Sequence, residues 1–270
     1  FTIQASSAHA CVGGVVELTP SIAASSDYTY EWSSGGTVLG NAYTFTVPTT
    51  SAGETTYQFK ITAPNNCYKT ETLAYRVDAV PTVAITPVRP DICDGENFTL
   101  NASPTPELPA NGAYTYTWKR GSTTFSETGS SLTEGPMSPG NYTYDVFVST
   151  GNPGCTSTIA SRTVVAHAKP SLSITGANVS CNGDVSLTLT GASSGSTISW
   201  FEGANSLGSG TNLNLTGVAN GVHTYRAEVL APPAEGGCEV EKTHNVHVYT
   251  IPDFTIQASS AHACVGGVVE

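Results

Sequence analysis

The side chains best suited to chemistry are seven cysteines, at Cys11, Cys67, Cys93, Cys155, Cys181, Cys238 and Cys264. Thiols can ligate soft metals, attack electrophiles or join as disulfides, and their spacing decides among these uses. None sits in a C-x-x-C pair. They fall instead in register, two to each stretch of roughly 80 to 90 residues, the size of a small β-sandwich. Regular pairs in small domains point to disulfides and an oxidising compartment. The other candidates are weaker. His244 and His247 differ by three positions and face opposite sides of a strand, a poor metal pair. Asp91, Asp94 and Glu96 flank Cys93 and could offer carboxylate oxygens to Ca²⁺. The corresponding stretches SAHACVGG and NVSCNGD do not repeat that cluster, so it reads as a solvated turn. His9, recurring as His262, reads as a loop residue. Asn97, Asn101, Asn141, Asn178 and Asn214 fit N-x-[ST], a pattern with meaning only in a eukaryotic secretory host. No G-x-S-x-G elbow occurs. The residues thus predict no catalytic group, no metal site, no cofactor and no enzyme.

The elements that carry these cysteines are strands. Tyr57, Phe59 and Ile61 alternate with Gln58 and Lys60; Tyr144, Val146 and Val148 with Asp145 and Phe147; and Tyr225, Ala227 and Val229 with Arg226 and Glu228. A period of two means one buried and one wet face. A second strand type places Tyr28, Tyr30 and Trp32 on one side, then Tyr114, Tyr116 and Trp118, then Ile198 and Trp200. A third supplies Val16 and Leu18, Phe98 and Leu100, and Val185, Leu187 and Leu189. No stretch shows a 3.6-residue apolar period, so almost no helix is expected. Trp32, Trp118 and Trp200 match the core Trp of an immunoglobulin-like sandwich, and Tyr57, Tyr144 and Tyr225 match its corner Tyr. The predicted fold class is all-β, with tandem antiparallel sandwiches strung end to end.

Repetition sets the domain plan. Phe1 to Glu17, FTIQASSAHACVGGVVE, recurs unchanged at Phe254 to Glu270, an offset of 253 residues. Inside that period three units each carry W-x-x-G and G-x-x-T-Y: Trp32 to Gly35 and Gly53 to Tyr57, Trp118 to Gly121 and Gly140 to Tyr144, Trp200 to Gly203 and Gly221 to Tyr225. Short Pro-marked links at Pro81 and Pro170 separate them. The expected domains are 1–80, 81–169 and 170–252, with 253–270 supplying the first strands of the next copy.

A net charge of −11 and a pI near 4.8 argue against a nucleic-acid partner, whose phosphates demand Lys and Arg. No apolar run reaches eighteen residues, so no membrane insertion is expected in this segment.

The pattern C-x-G…Y-x-W-x-x-G…G-x-x-T-Y…G-C resembles the PKD-like and Ig-like tandem repeats of Bacteroidota cell-surface proteins. These include type IX-secreted proteins and the large gliding-motility adhesins. Cys11, Trp32, Tyr57 and Cys67 carry the pattern first; then Cys93, Trp118, Tyr144 and Cys155; then Cys181, Trp200, Tyr225 and Cys238. Asn66-Cys67 departs from the G-C seen at Gly154-Cys155 and Gly237-Cys238. The resemblance implies an extracellular, cell-surface location and a stalk, spacer or adhesive role.

Strand order bears on how the cysteines pair. Cys11, Cys93 and Cys181 precede strand B at one pole of a sandwich. Cys67, Cys155 and Cys238 follow strand F at the other, roughly 20 Å or more away, whereas a disulfide needs Cα atoms within about 7 Å. Pairing across domain joints is therefore favoured: Cys11 with Cys155, Cys93 with Cys238, and Cys181 with the Cys67 equivalent of the next copy. Cys264 repeats Cys11. A shifted strand order would restore pairs within domains. The expected function is the structural shaft of a filament or repetitive adhesin, whose partners are neighbouring repeats of the same polypeptide. Other filament chains, or a surface or glycan ligand, are further partners to consider. The alternatives are a glycan- or surface-binding array and an accessory spacer of a secreted hydrolase.

Overall fold

The computed structural model describes residues 1–87, 91–107, 113–151, 154–257, 262 and 265–266. Backbone packing divides the chain into two compact units, Phe1–Val165 and Ala166–Glu270. Each eight-strand set in the chain repeats one plan. The first comprises β1 (Ile3–Ala5), β2 (Ala10–Cys11), β3 (Glu17–Pro20), β4 (Thr29–Ser34), β5 (Thr37–Gly40), β6 (Phe45–Thr46), β7 (Gly53–Thr62) and β8 (Tyr68–Asp78). The second runs through β9 (Thr82–Pro87), β10 (Asp91–Cys93), β11 (Phe98–Thr105), β12 (Thr115–Arg120), β13 (Thr123–Thr124), β14 (Ser131–Glu134), β15 (Gly140–Ser149) and β16 (Ala160–His167). The third holds β17 (Ser173–Gly176), β18 (Val179–Ser180), β19 (Val185–Thr190), β20 (Thr197–Glu202), β21 (Asn205–Ser209), β22 (Asn212–Leu215), β23 (Gly221–Leu230) and β24 (Glu239–Val248). One 3₁₀ turn, Pro233–Glu235, is the helical element among the described residues.

In every set a three-stranded sheet faces a five-stranded one: β1-β3-β6 with β2-β8-β7-β4-β5, β9-β11-β14 with β10-β16-β15-β12-β13, and β17-β19-β22 with β18-β24-β23-β20-β21. Among the described pairs the long strands run antiparallel, and the short second strand lies parallel to the last one at Ala10↔Val77 and at Val179↔His247. Two antiparallel sheets with this order are immunoglobulin-like sandwiches. The chain is therefore all-β, with three of them in tandem.

Alternation explains the cores. Leu18, Phe59, Leu100, Val146, Leu187 and Val229 are fully buried, and their in-strand neighbours are wetter. Each large apolar side chain so buried contributes about 1.5–3 kcal/mol. Trp32, Trp118 and Trp200 have no exposed surface and sit at the centres. The tyrosines beside them behave otherwise. Tyr28 lies outside β4 and is exposed, and Tyr30, Tyr114 and Tyr116 are half-buried, so the core face of that strand narrows to its Trp. The W-x-x-G glycines, Gly35, Gly121 and Gly203, have φ of +55°, +57° and +57°. Each opens a two-residue hairpin loop, the position where glycine reverses the chain without a Cβ penalty.

Candidate functional site: the cysteines and the core polar groups

Cys11 ends β2, opposite Asp78 at the far end of β8. The Val12 N–H donates to the Asp78 carbonyl at 2.9 Å, and a tight turn returns the Gly14 N–H to the Cys11 carbonyl at 2.9 Å. Cys67 lies just before Tyr68, at the start of the same β8. An eleven-residue strand separates the two by roughly 30 Å. They cannot bond within their own sandwich.

Cys155 occupies the turn after β15. The Thr150 N–H donates to its carbonyl at 3.0 Å, and its own N–H donates to Thr150 Oγ1 at 2.9 Å. The same turn contact recurs at Ala63 N–H to Cys67 O and Ala231 N–H to Cys238 O, both 2.9 Å. The three cysteines are thus structural equivalents, although the turns differ in length. Cys11 and Cys155, separated by 144 residues, form a disulfide with Cα atoms 5.6 Å apart. Within Phe1–Val165 it joins the first sandwich to the second. Closing a loop of that length removes about 5 kcal/mol of unfolded-state freedom in the chain-entropy view. Cys93 and Cys238 are also disulfide-bonded, and both are buried. Cys67 and Cys181 are free thiols and exposed. Cys264 lies outside the described residues.

Cys67 sits in an open groove of 460 Å³ lined by Phe1, Ile22, Tyr28, Ile61, Tyr68 and Lys69. Cys181 borders a smaller one of 230 Å³ with Gly183, Val218, Val248, Tyr249 and Ile251. A third groove, of 470 Å³, carries Tyr28, Tyr30, Glu31, Asn41, Lys60 and Thr62.

The Trp and Tyr positions hold the cores' polar chemistry. Indole N–H groups need acceptors when buried, and each finds a backbone carbonyl: Ala42 at 3.1 Å, Gly129 at 3.1 Å and Gly210 at 2.9 Å. The Tyr144 hydroxyl donates to Glu134, accepts from Arg120 at 3.3 Å, and the Arg120 guanidinium also pairs with Glu134. Burial, then the Glu134 hydrogen bond, pushes the Tyr144 phenol upward. Burial also raises Tyr57 and Tyr225, and the Glu202 charge adds to the effect at Tyr225. His223 Nδ1 lies 2.7 Å from Glu202, whose hydrogen bond holds the imidazolium above its ordinary value of 6.5.

The weaker sequence candidates are scattered or engaged. Glu96 Oε2 accepts from the Cys93 N–H at 3.0 Å, which makes it part of a turn. The His247 ring stacks on Tyr249 at 4.0 Å, while His244 opposes Tyr225 in the β23–β24 ladder. Among the described residues no group of three or more His, Cys, Asp or Glu side chains is placed to hold a metal ion, and no helix is long and apolar enough to cross a membrane. The indole acceptors and the Glu134–Arg120 pair were missed by sequence reasoning. Only the spacing of about ten residues from each Trp to a small or glycine residue hints at the acceptors.

Disulfide-bonded cysteines are characteristic of an oxidising compartment such as the cell exterior. No protein-family model matches the chain, and no curated protein matches it. Among solved structures, an I-band fragment of titin is similar at 13% identity, covering 93% of this chain and 99% of that one, with a TM-score of 0.47. The three N-terminal domains of the bacteriophage RB49 Highly Immunogenic Outer Capsid protein give 14%, 93%, 99% and 0.44. An ICAM-5 ectodomain fragment gives 16%, 96%, 79% and 0.39.

Proposed function

We propose that this chain is a stretch of the non-catalytic shaft of a cell-surface filament or repetitive adhesin, divided into sandwiches at 1–80, 81–169 and 170–252. The observation that carries this reading is the Cys11–Cys155 bond between consecutive sandwiches, in a chain that begins to repeat itself at Phe254. A shaft needs many like units and restricted joints. Repetition supplies the units, and a sulfur bridge beside a short Pro-marked link restricts a joint. The bacterial-surface family whose pattern the sequence resembles fits this role. Immunogold labelling of intact cells with antibodies to residues 1–253 tests it. Label strung along surface filaments is expected; label confined to the cell interior would sink the reading.

The groove of Tyr28, Tyr30, Glu31, Asn41, Lys60 and Thr62 favours one competing role, that of a glycan-binding array. Aromatic faces beside polar side chains suit sugars. Saturable binding on a glycan array, lost on Tyr30→Ala, would establish that role.

A further inference from the structure

We infer that the exposed groove around Cys67 is the seat for the Cys181 end of a preceding copy of this same repeat, and that Cys181 and Cys67 of successive copies close a disulfide. The inference rests on the tandem-array reading and adds a partner and a bond to it.

Topology carries the argument. Cys11 is the last residue of β2, the short strand parallel to the final strand of its sandwich; Cys181 directly follows β18, the strand in that place in the third sandwich. At the other end, Cys67 and Cys155 both accept the N–H of the first residue beyond the long strand, Ala63 and Thr150. Cys11 and Cys155 are bonded to each other. Cys181 and Cys67 are therefore the two halves of the same kind of junction, each found without its other half. Neither can turn to its own sandwich. Cys181 follows Ser180, which opposes Val248 at the end of β24, and Cys238 precedes Glu239 at its start, a ten-residue strand or about 30 Å apart.

The order of the copies names the partner. In the observed bridge the earlier sandwich supplies the cysteine at the end of its short parallel strand, and the later one supplies the turn cysteine. Beyond the third sandwich the chain resumes at Phe254 with the sequence of the first. The later sandwich for Cys181 is thus the next copy of the first, and its turn cysteine is Cys67. Surface character agrees. Cys155 is buried, whereas Cys67 lies exposed among Phe1, Ile22, Ile61 and a 67% exposed Tyr68. Around Cys181, Val179, Tyr249 and Ile251 are 52%, 47% and 64% exposed. These are apolar surfaces of the kind a neighbouring module covers. In forming the bond, two thiols lose two protons and two electrons to a disulfide oxidant, which leaves as a dithiol.

Non-reducing digestion and mass spectrometry of the natural chain, over a stretch holding two consecutive copies, tests this. A peptide joining Cys181 of the first copy to Cys67 of the second is expected, with both thiols alkylated in a single copy. Cys181→Ser should leave the following Cys67 open to alkylation without changing the Cys11–Cys155 peptide. If both thiols of the two-copy junction react with iodoacetamide before unfolding, or if Cys67 joins Cys11 of its own copy, the inference fails. Filament labelling can succeed in either case, so the two readings fail separately.

Discussion

In the second sandwich the Tyr144 hydroxyl is held by Glu134 and Arg120, whereas in the third the Tyr225 hydroxyl is buried with no hydrogen-bond partner. Register shows what changed. Arg120 opposes Tyr144 and Glu202 opposes Tyr225; Glu134 opposes Phe98 and Leu215 opposes Val185. A cation and a carboxylate have become a carboxylate and a leucine. Glu202 turns instead to His223, whose ring stacks on Tyr225. Both tyrosine rings are fully buried all the same. Packing of the ring selects this residue, and the hydroxyl's bonds are an addition that one sandwich has and the other lacks.

The largest test asks whether the two cores are equivalent beneath this difference. Trp118→Ala and Trp200→Ala should each cost about 3–5 kcal/mol, read as loss of the corresponding calorimetric transition; a small cost in one alone would break the equivalence. The tyrosines come next and should differ in sign. Tyr144→Phe should cost about 1 kcal/mol, while Tyr225→Phe, which removes an unpaired buried hydroxyl, should be neutral or stabilising. Denaturant midpoints of the two variants decide it. Third, Leu215→Glu combined with Glu202→Arg should supply Tyr225 with the missing pair and raise the stability of the third sandwich by about 1 kcal/mol. The smallest effect concerns pH. His223 binds its proton more tightly folded than unfolded, so its contribution is complete below about 6.5. That contribution is lost as pH rises through the higher folded value. The third sandwich should melt slightly lower at pH 8.5 than at pH 6, and Glu202→Gln should remove the difference.

How much of this was legible in the sequence follows from which contacts are local. Alternation in β7, β15 and β23 announced the buried faces because a strand's period is its own property. The place of Cys67, Cys155 and Cys238 after those strands was legible for the same reason. The partners of Tyr144 were not, since Glu134 reaches it from the opposite sheet. Nor was the parallel pairing of β2 with β8, a contact between the two ends of a sandwich.

The bridge between Cys11 and Cys155 also decides how the chain responds to being pulled. Tension entering at Phe1 follows the backbone to Cys11, crosses the sulfurs and re-enters at Cys155. The residues between them drop out of the path of the force. Were they in it, unravelling about 144 residues would lengthen the molecule by roughly 480 Å at about 3.3 Å each. With the bridge closed, neither β7 nor β15 can be drawn out, however far the surrounding hydrogen bonds give way. A reductant would release that hidden length without cutting any peptide bond.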